Sequence, residues 1–307
     1  MSSTSEALRQ EQAKHLATIS TQSESKSRQT AGKPRQNQSP NLSQEANRTR
    51  RIKRSTMNLW VPNQHGGWMM ALCPPMAGLI AGGFSWLGFW LCWIWLACYF
   101  TSYALGRWLV SRKAKRFRTP AITYAVITVV LGIPLVLLHP WLCWWVPAYL
   151  LILVAHLWAA HSRNQRALWA NAAAVVGSGL TAWIAVILGP LGVDSLGERV
   201  WFPTVGLAVA IAYVLQEFGS VLFVKTMFRE RNSKPYYLAS VAWHILLSAV
   251  GFWINWVFGV TALLLLARAA VLPFFATKLK PLPIGMFEVA STIIAFVGIT
   301  WGAALLA

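Results

Sequence analysis

Acidic side chains are scarce in this sequence. Its 307 residues include nine Asp and Glu against 27 Lys and Arg, and Asp194 is the only aspartate. Hard divalent cations such as Mg²⁺ require carboxylate ligands, so this composition argues against a magnesium cluster. No metal site is predicted.

Cysteine and histidine are also rare. The four cysteines lie within apolar runs and match neither a disulfide framework nor a zinc motif. No Cys-x-x-Cys-His sequence for haem attachment occurs, and the six histidines are too sparse to place pairs of haem ligands on facing helices. No cofactor is predicted.

Long apolar runs are what the sequence does contain. Hydrophobic residues make up 56% of the chain and charged residues 12%. The runs extend over about 17 to 24 residues, enough to cross a hydrocarbon layer of roughly 30 Å. The 18 tryptophans fit the aromatic belts of membrane interfaces. The sequence therefore predicts an all-α polytopic membrane protein with nine transmembrane helices, at 68–84, 87–110, 120–138, 141–160, 167–188, 202–224, 237–253, 256–275 and 284–306.

The loops between these spans alternate in charge. Loops after spans two, four, six and eight carry five, two, four and two basic residues, whereas no loop after an odd-numbered span is net positive. Because Lys and Arg concentrate in cytoplasmic loops, we expect the N-terminus inside and the C-terminus outside. The net charge of +18 follows from the same rule. The expected partner is the lipid bilayer, and no nucleic acid is expected.

Residues 1–56 differ in composition from the rest, and residues 57–307 form the predicted nine-helix membrane domain. The leader holds 11 basic and 4 acidic residues and lacks aromatics. Such a segment buries too little apolar surface to offset the entropy of ordering, so we expect a disordered, basic cytoplasmic leader. Its last basic residues, at 48–54, are expected to lie against anionic lipid.

Ionisable groups inside a membrane span are costly and usually mark a buried interior or a functional path. By depth, most of those in this chain lie in the predicted cytoplasmic halves of their spans. The sequence therefore predicts one polar cavity open to the cytoplasm. The candidate ligand-binding residues are Asn63, His65, Arg107, Glu217, Lys225, Arg229, His244, Arg268 and Glu288.

Structural alternatives exist for these residues. Glu217 and Arg268 would form a buried ion pair that fixes helix positions. His244 would be a hydrogen-bonded packing residue, and Arg107 would extend back towards water. Glu288 would cap the first turn of span nine, where its charge suits the helix dipole.

The segment PNQHGGWMM, residues 62–70, opens the first span. The adjacent Gly66 and Gly67 let the backbone approach a neighbour closely, and the free N–H groups of a helix start bind anions. With His65 beside them, the expected guest is a carboxylate or an anionic headgroup. A tight helix start against another span is the alternative.

The same segment resembles the proline–His–Gly–Ala–Trp motif of YwiC-like proteins, a bacterial membrane family of unsettled function. FVKTMFRERNSKPYYLASVAWH (223–244), RAAVLP (268–273) and KPLPIGMFEVAST (280–292) resemble that family too. The likeness covers about residues 57–307, and Gly67 stands where the family usually has alanine. It implies a multi-pass protein of the bacterial cell (inner) membrane, but it supplies no catalytic residues.

More distantly, the chain is similar to the UbiA-type prenyltransferase superfamily. This likeness implies a UbiA-like bundle of nine helices with a cytoplasm-facing cavity. That superfamily binds magnesium diphosphate through Asp-rich loops after spans two and six, but the corresponding loops here, SRKAKRFR and KTMFRERNSK, contain no aspartate. Lys225, Arg229 and Arg231 would instead contact a phosphate or carboxylate directly.

The leading functional hypothesis is a protein that binds, and could modify, an anionic lipid-like or isoprenoid-like ligand from the cytoplasmic side. A small-molecule or ion transporter, with Glu217, His244 and Arg268 as a coupling relay, is one alternative. The absence of repeats and the nearly apolar outer half argue against it. A non-enzymatic membrane assembly subunit is the other. Whether any reaction is catalysed stays open.

Overall fold

The structure is a computed structural model that describes residues 59–62, 65–111, 114–231, 233–275 and 281–307. All of them belong to one compact unit, Ser55–Ala307. The predicted leader, the candidate residue Asn63 and parts of the loops after spans two, six and eight lie outside the described residues. For His65 the structure describes the backbone alone.

Within the described residues, nine long α-helices follow the predicted spans. Three short 3₁₀-helices lie between them, at Pro140–Trp145, Pro190–Gly192 and Leu272–Phe275. The α-helices are α1 His65–Ala81, α2 Trp86–Val110, α3 Ala114–Leu138, α4 Val146–His161, α5 Leu168–Ile187, α6 Thr204–Phe228, α7 Lys234–Ile254, α8 Trp256–Val271 and α9 Pro281–Ala304.

Eight of these described helices are long and apolar enough to cross a membrane, which confirms a multi-spanning helical architecture. The first is shorter, with an apolar part of Gly67–Ala81. It ends earlier than predicted because Gly83 adopts a φ of 81°, a left-handed conformation that terminates helices and that glycine adopts without strain. The count of nine spans and the orientation stay predictions.

Helix α1 lies at the centre of this unit. It packs against α2, α5, α6 and α9, whereas α3 packs mainly against α2 at the periphery. Gly78 and Gly82 bring the α1 backbone directly onto the α5 backbone at Ala182 and Val186, where a Cβ on either glycine would overlap the neighbouring chain. Small residues thus let two helices approach more closely than side chains would permit.

One asparagine joins three helices at one end of the bundle. Asn255 ends α7 and begins α8, where its side-chain oxygen accepts a hydrogen bond from the Phe258 N–H at 3.0 Å. Its side-chain amide donates to the Gly302 carbonyl of α9 at 2.9 Å. The Asn255 side chain therefore supplies hydrogen bonds to backbone groups at helix ends, which lipid acyl chains cannot do.

Candidate functional site

Polar side chains from four helices meet around residues 216–220 of α6. Glu217 in this segment lies near the middle of the helix, roughly 20 Å from its start and roughly 17 Å from its end at 1.5 Å per residue. Gln216 and Glu217 are buried in it, and Gly219 and Ser220 complete the turn. The cluster defined by these residues and their polar partners is called here the α6 cluster.

The strongest contact in the α6 cluster is an ion pair between α8 and α9. Arg268 Nη1 donates to Glu288 Oε1 at 2.7 Å, and the two side chains are 7% and 22% exposed. Arg268 Nη2 also donates to Ser220 Oγ at 3.3 Å, and the guanidinium lies 4.1 Å from the centroid of the Phe223 ring. The buried positive charge of Arg268 is therefore compensated by its own neighbours.

Two alternatives drawn from the sequence are wrong. The buried partner of Arg268 is Glu288 and not Glu217. Glu288 does not cap α9 either, because the helix begins at Pro281 and places Glu288 in its third turn. The error arose from underestimating the length of α9 at the end that carries the basic loops.

His244 of α7 packs directly onto α6. A Cβ built on Gly219 would lie 3.2 Å from both Cε1 and Nε2 of the imidazole, so the absence of a side chain at Gly219 makes room for the ring. Nδ1 donates to the Ser240 carbonyl at 2.7 Å, and the residue is 1% exposed. Because Nδ1 is committed to its own helix, Nε2 is the ring atom turned towards the α6 cluster.

Glu217 occupies the opposite side of the same turn. It is 7% exposed, and its Oε2 is buried without a hydrogen-bond partner among the described residues. Its electrostatic neighbours are Cys73 of α1, Ser178 of α5 and Tyr213, one turn earlier on α6. The Tyr213 hydroxyl is likewise buried without a described partner. Two polar oxygen atoms without a described partner, Glu217 Oε2 and the Tyr213 hydroxyl, therefore lie on one buried face of α6.

Helix α1 contributes backbone oxygen atoms to this face. Pro74 and Pro75 lie inside α1 and have no N–H, so Met70 and Ala71 lose the donors that an α-helix would normally supply to their carbonyls. Ser178 Oγ donates to the Met70 carbonyl at 2.8 Å from the neighbouring helix. Glu217 thus faces an oxygen-rich area built from α1, α5 and α6, called here the proline site.

The net charge of the buried groups decides which ligand they favour. The described charges at the site are the buried Arg268 and Glu217 and the half-buried Glu288. Because Arg268 is paired with Glu288, Glu217 is the carboxylate that has no cationic partner among the described residues. A buried carboxylate without a partner is strongly destabilising, so the site favours a positively charged guest.

The other predicted site residues lie elsewhere. Arg107 is exposed, and its guanidinium lies 5.1 Å from the centroid of the Phe117 ring. Lys225 Nζ donates to the Arg166 carbonyl at 2.9 Å, and Arg229 is exposed at the end of α6. The structure therefore brings together Glu217, His244, Arg268 and Glu288 around one turn of α6, and it leaves these three cations towards the ends of their helices.

Three groups in this region were not predicted from the sequence: Tyr213, Ser178 and the Met70 carbonyl. Two signals could have indicated them. Tyr213 and Glu217 are four residues apart and so share a helix face, and adjacent prolines within a span leave backbone carbonyls that need partners.

Comparison with known proteins gives a consistent picture. Residues 61–186 match the family model described as YwiC-like protein. An uncharacterised protein from Haemophilus influenzae is 25% identical over 243 residues, covering 78% of this chain and 97% of that relative. The uncharacterised protein YwiC from Bacillus subtilis is 28% identical over 197 residues, covering 62% of this chain and 76% of that relative. No solved structure matches the chain. These findings support the YwiC-like family as the relatives of this chain.

Proposed function

We propose that this protein is a multi-pass member of the YwiC-like family in the bacterial inner membrane that binds a small monovalent cation at Glu217. Cation binding of this kind couples ion movement to solute transport in membrane carriers, so the proposal places the protein in the transporter class. The observation that carries it is the unpaired, buried Oε2 of Glu217 beside a helix interrupted by two prolines.

The chemistry of the proline site supports a proton or an alkali metal ion. Sodium and potassium ions bind carboxylate, hydroxyl and backbone carbonyl oxygens in helices whose regular hydrogen bonding is broken. Glu217 supplies the first type, Ser178 and Tyr213 the second, and the proline-interrupted turn of α1 the third. In this proposal, the adjacent Pro74 and Pro75 of α1 serve to free backbone carbonyl oxygens for cation binding.

The test uses the purified full chain in nanodiscs of neutral lipid. Thermal unfolding is followed in sodium, potassium, lithium or choline chloride at constant ionic strength, and across a pH series. A cation that binds only the native state stabilises that state by about 2.7 kcal/mol when its free concentration is 100 times its Kd. We expect one alkali ion, or acidification alone, to raise Tm in the wild type and to have no such effect on Glu217→Gln.

The matched control is Glu198→Gln, which removes the charge of an exposed carboxylate and should keep the wild-type response. A second variant, Pro74→Ala, restores an N–H to α1 without touching the carboxylate and should weaken the response. Identical responses of wild type and Glu217→Gln to every cation and to pH would overturn the proposal.

A second candidate is the binding, with or without modification, of an anionic lipid-like or isoprenoid-like ligand at the end that carries the basic loops. A UbiA-like arrangement with the N-terminus inside would place this end in the cytoplasm. One contact favours it: Lys225 Nζ bonds to the Arg166 carbonyl and so joins the basic α4–α5 segment to the end of α6. Lipid retained by the purified wild type but lost from Lys225→Gln and Arg229→Gln would support it; equal retention would oppose it.

A further inference from the structure

A cleft walled by aromatic rings lies at the other end of the bundle from the α6–α7 loop. Its volume is about 500 Å³, within the range of small-ligand sites. The wall residues come from the 3₁₀-helix before α4, the last turns of α5 and the segment that leads into α6: Trp144, Trp145, Trp183, Trp201 and Phe202. It is called here the aromatic cleft.

The wall of the aromatic cleft is held in place by contacts between neighbouring rings, one edge-on and one tilted. Trp145 and Trp183 have centroids 5.1 Å apart, and Trp183 and Phe202 have centroids 5.4 Å apart. Yet Trp144 is 81% exposed and Phe202 is 68% exposed. The rings therefore form a preorganised apolar surface that is open to an outside molecule, as a binding site requires and a closed core does not.

A positive charge lies beside this surface. The Arg199 guanidinium lies 4.1 Å from the centroid of the Trp141 ring, which packs edge-on to Trp201 at 5.4 Å. Nη1 of Arg199 donates to the Ile187 carbonyl at 3.2 Å. Partial burial lowers the pKa of Arg199, but an arginine keeps its charge at neutral pH all the same.

The described residues supply no carboxylate to Arg199: their single ion pair is the one in the α6 cluster. Asp194, in the same loop, accepts hydrogen bonds from the N–H groups of Leu196 and Glu198. Another titratable side chain near Arg199 is His139, which is not an acidic group. Burial, and to a lesser extent the positive charge of Arg199, lower the pKa of the His139 imidazole.

Hydrogen-bond donors are also in excess around the aromatic cleft. The indole N–H groups of Trp141, Trp145 and Trp183 are buried without a partner among the described residues. Buried donors of this kind are rare in folded proteins and call for an explanation. These N–H groups are enclosed, so the positive charge of Arg199 beside the cleft is what favours a guest that brings acceptor oxygens and negative charge.

We propose that the aromatic cleft binds an anionic phospholipid, whose phosphate accepts hydrogen bonds from Arg199 while its apolar part lies on Trp144 and Phe202. Guanidinium recognises phosphate through charge-assisted hydrogen bonds, and indole rings tolerate both acyl chain and headgroup at the membrane interface. The occupant is a lipid because the cleft opens at the ends of membrane spans, where lipid is the molecule at hand. The site is separate from the proline site and does not depend on cation binding.

The experiment measures lipid binding to the full chain by native mass spectrometry, with phosphatidylglycerol and phosphatidylcholine as probes. We expect phosphatidylglycerol to bind more tightly than phosphatidylcholine. Arg199→Gln should weaken phosphatidylglycerol binding by about tenfold, the size expected for one charge-assisted hydrogen bond. Trp144→Ala should weaken it by about fivefold through lost apolar contact.

Two controls separate the cleft from general effects. Arg118→Gln removes an exposed positive charge near the start of α3, away from the cleft, and Trp253→Ala removes an 87% exposed indole from the last turn of α7, outside the cleft. Both should bind phosphatidylglycerol as the wild type does. Since Trp144 is largely exposed, Trp144→Ala tests the cleft even if Arg199→Gln fails to fold.

Three outcomes would overturn the proposal. Equal losses in Arg199→Gln and Arg118→Gln would show diffuse surface electrostatics. Equal losses in Trp144→Ala and Trp253→Ala would show an ordinary aromatic belt. Tighter binding of phosphatidylcholine would show a cage for its quaternary ammonium group in place of an anion site.

Discussion

Two histidines of this protein pack against glycines of neighbouring helices, and they differ in what surrounds them. A Cβ on Gly219 would lie 3.2 Å from His244 Nε2, and a Cβ on Gly106 would lie 3.3 Å from His156 Nε2. His156 Nε2 donates to the Ser102 carbonyl of α2 at 3.2 Å, whereas His244 uses Nδ1 for a carbonyl of its own helix.

The residue after each glycine shows the difference most clearly. Ser220, after Gly219, accepts a hydrogen bond from the buried Arg268. Arg107, after Gly106, is exposed and faces the Phe117 ring. An imidazole packed against a glycine is therefore an arrangement found in both regions. Buried charge distinguishes the α6 cluster from the His156 region.

The largest effect is expected from breaking the ion pair that sets the α6 cluster apart. Glu288→Leu leaves Arg268 buried without its carboxylate, which should lower the free energy of unfolding by about 3 kcal/mol. Replacing both residues, Arg268→Met with Glu288→Leu, should recover most of that loss, because no charge is then left unpaired. Chemical unfolding in detergent measures the free energy of unfolding of the single and the double variant. If Glu288→Leu lowered it by less than about 1 kcal/mol, the ion pair would not be what compensates the buried charge of Arg268.

Adding a methyl group at each glycine compares the two packing contacts directly. Gly219→Ala meets Trp243 Cδ1 at 3.1 Å and two His244 atoms at 3.2 Å, and should cost about 2 kcal/mol. Gly106→Ala meets one ring atom at 3.3 Å and should cost about 1 kcal/mol. Gly132→Ala, with open space around it, is the control. Equal losses at all three positions would point to a general backbone effect.

Replacing the imidazoles themselves should produce a smaller difference. His244→Gln should lose about 1.5 kcal/mol because it removes a buried side-chain hydrogen bond to the Ser240 carbonyl. His156→Gln should lose about 0.5 kcal/mol because that residue is partly exposed. Chemical denaturation of the two variants side by side checks the order. A larger loss for His156→Gln would reverse the comparison.

The smallest change in stability is expected at Glu217. Glu217→Gln removes a buried carboxylate that has no cationic partner, so the free energy of unfolding without added cation should change by about 0.5 kcal/mol or rise. The contrast with Glu288→Leu is sharp, since the two carboxylates belong to one cluster but only one has a cationic partner. A loss of about 3 kcal/mol in Glu217→Gln, as for a broken buried pair, would mean that its carboxylate is paired.

The helices were predictable because lipid imposes their length. The span predicted at 256–275 begins at the same residue as α8 and ends with the 3₁₀-helix Leu272–Phe275, and 237–253 lies within α7. The start of α1 at His65 and the terminating Gly83 depend on local backbone conformation, and there the predicted bounds were displaced.

The partners within the site were not predictable in the same way. Apolar residues surround a membrane helix on most sides, so its sequence does not tell which face meets which neighbour. Arg268 lies at a depth in its span where an ion pair with either Glu217 or Glu288 is compatible with the sequence. The rotation of α8 and α9 about their axes decides that the partner is Glu288. Arg199 was not predicted as a site residue because it lies in a loop, where arginines usually contact water.

The backbone contact between α1 and α5 has a consequence for the making of the protein. Gly78 is translated about 100 residues before Ala182, the residue against which it packs. At about 5–20 residues per second, the first helix leaves the ribosome roughly 5 to 20 seconds before its partner exists. During that interval a short segment broken by two prolines must be retained by the insertion machinery or by its neighbour α2. The protein's yield therefore depends on how long the unfinished chain protects its first helix.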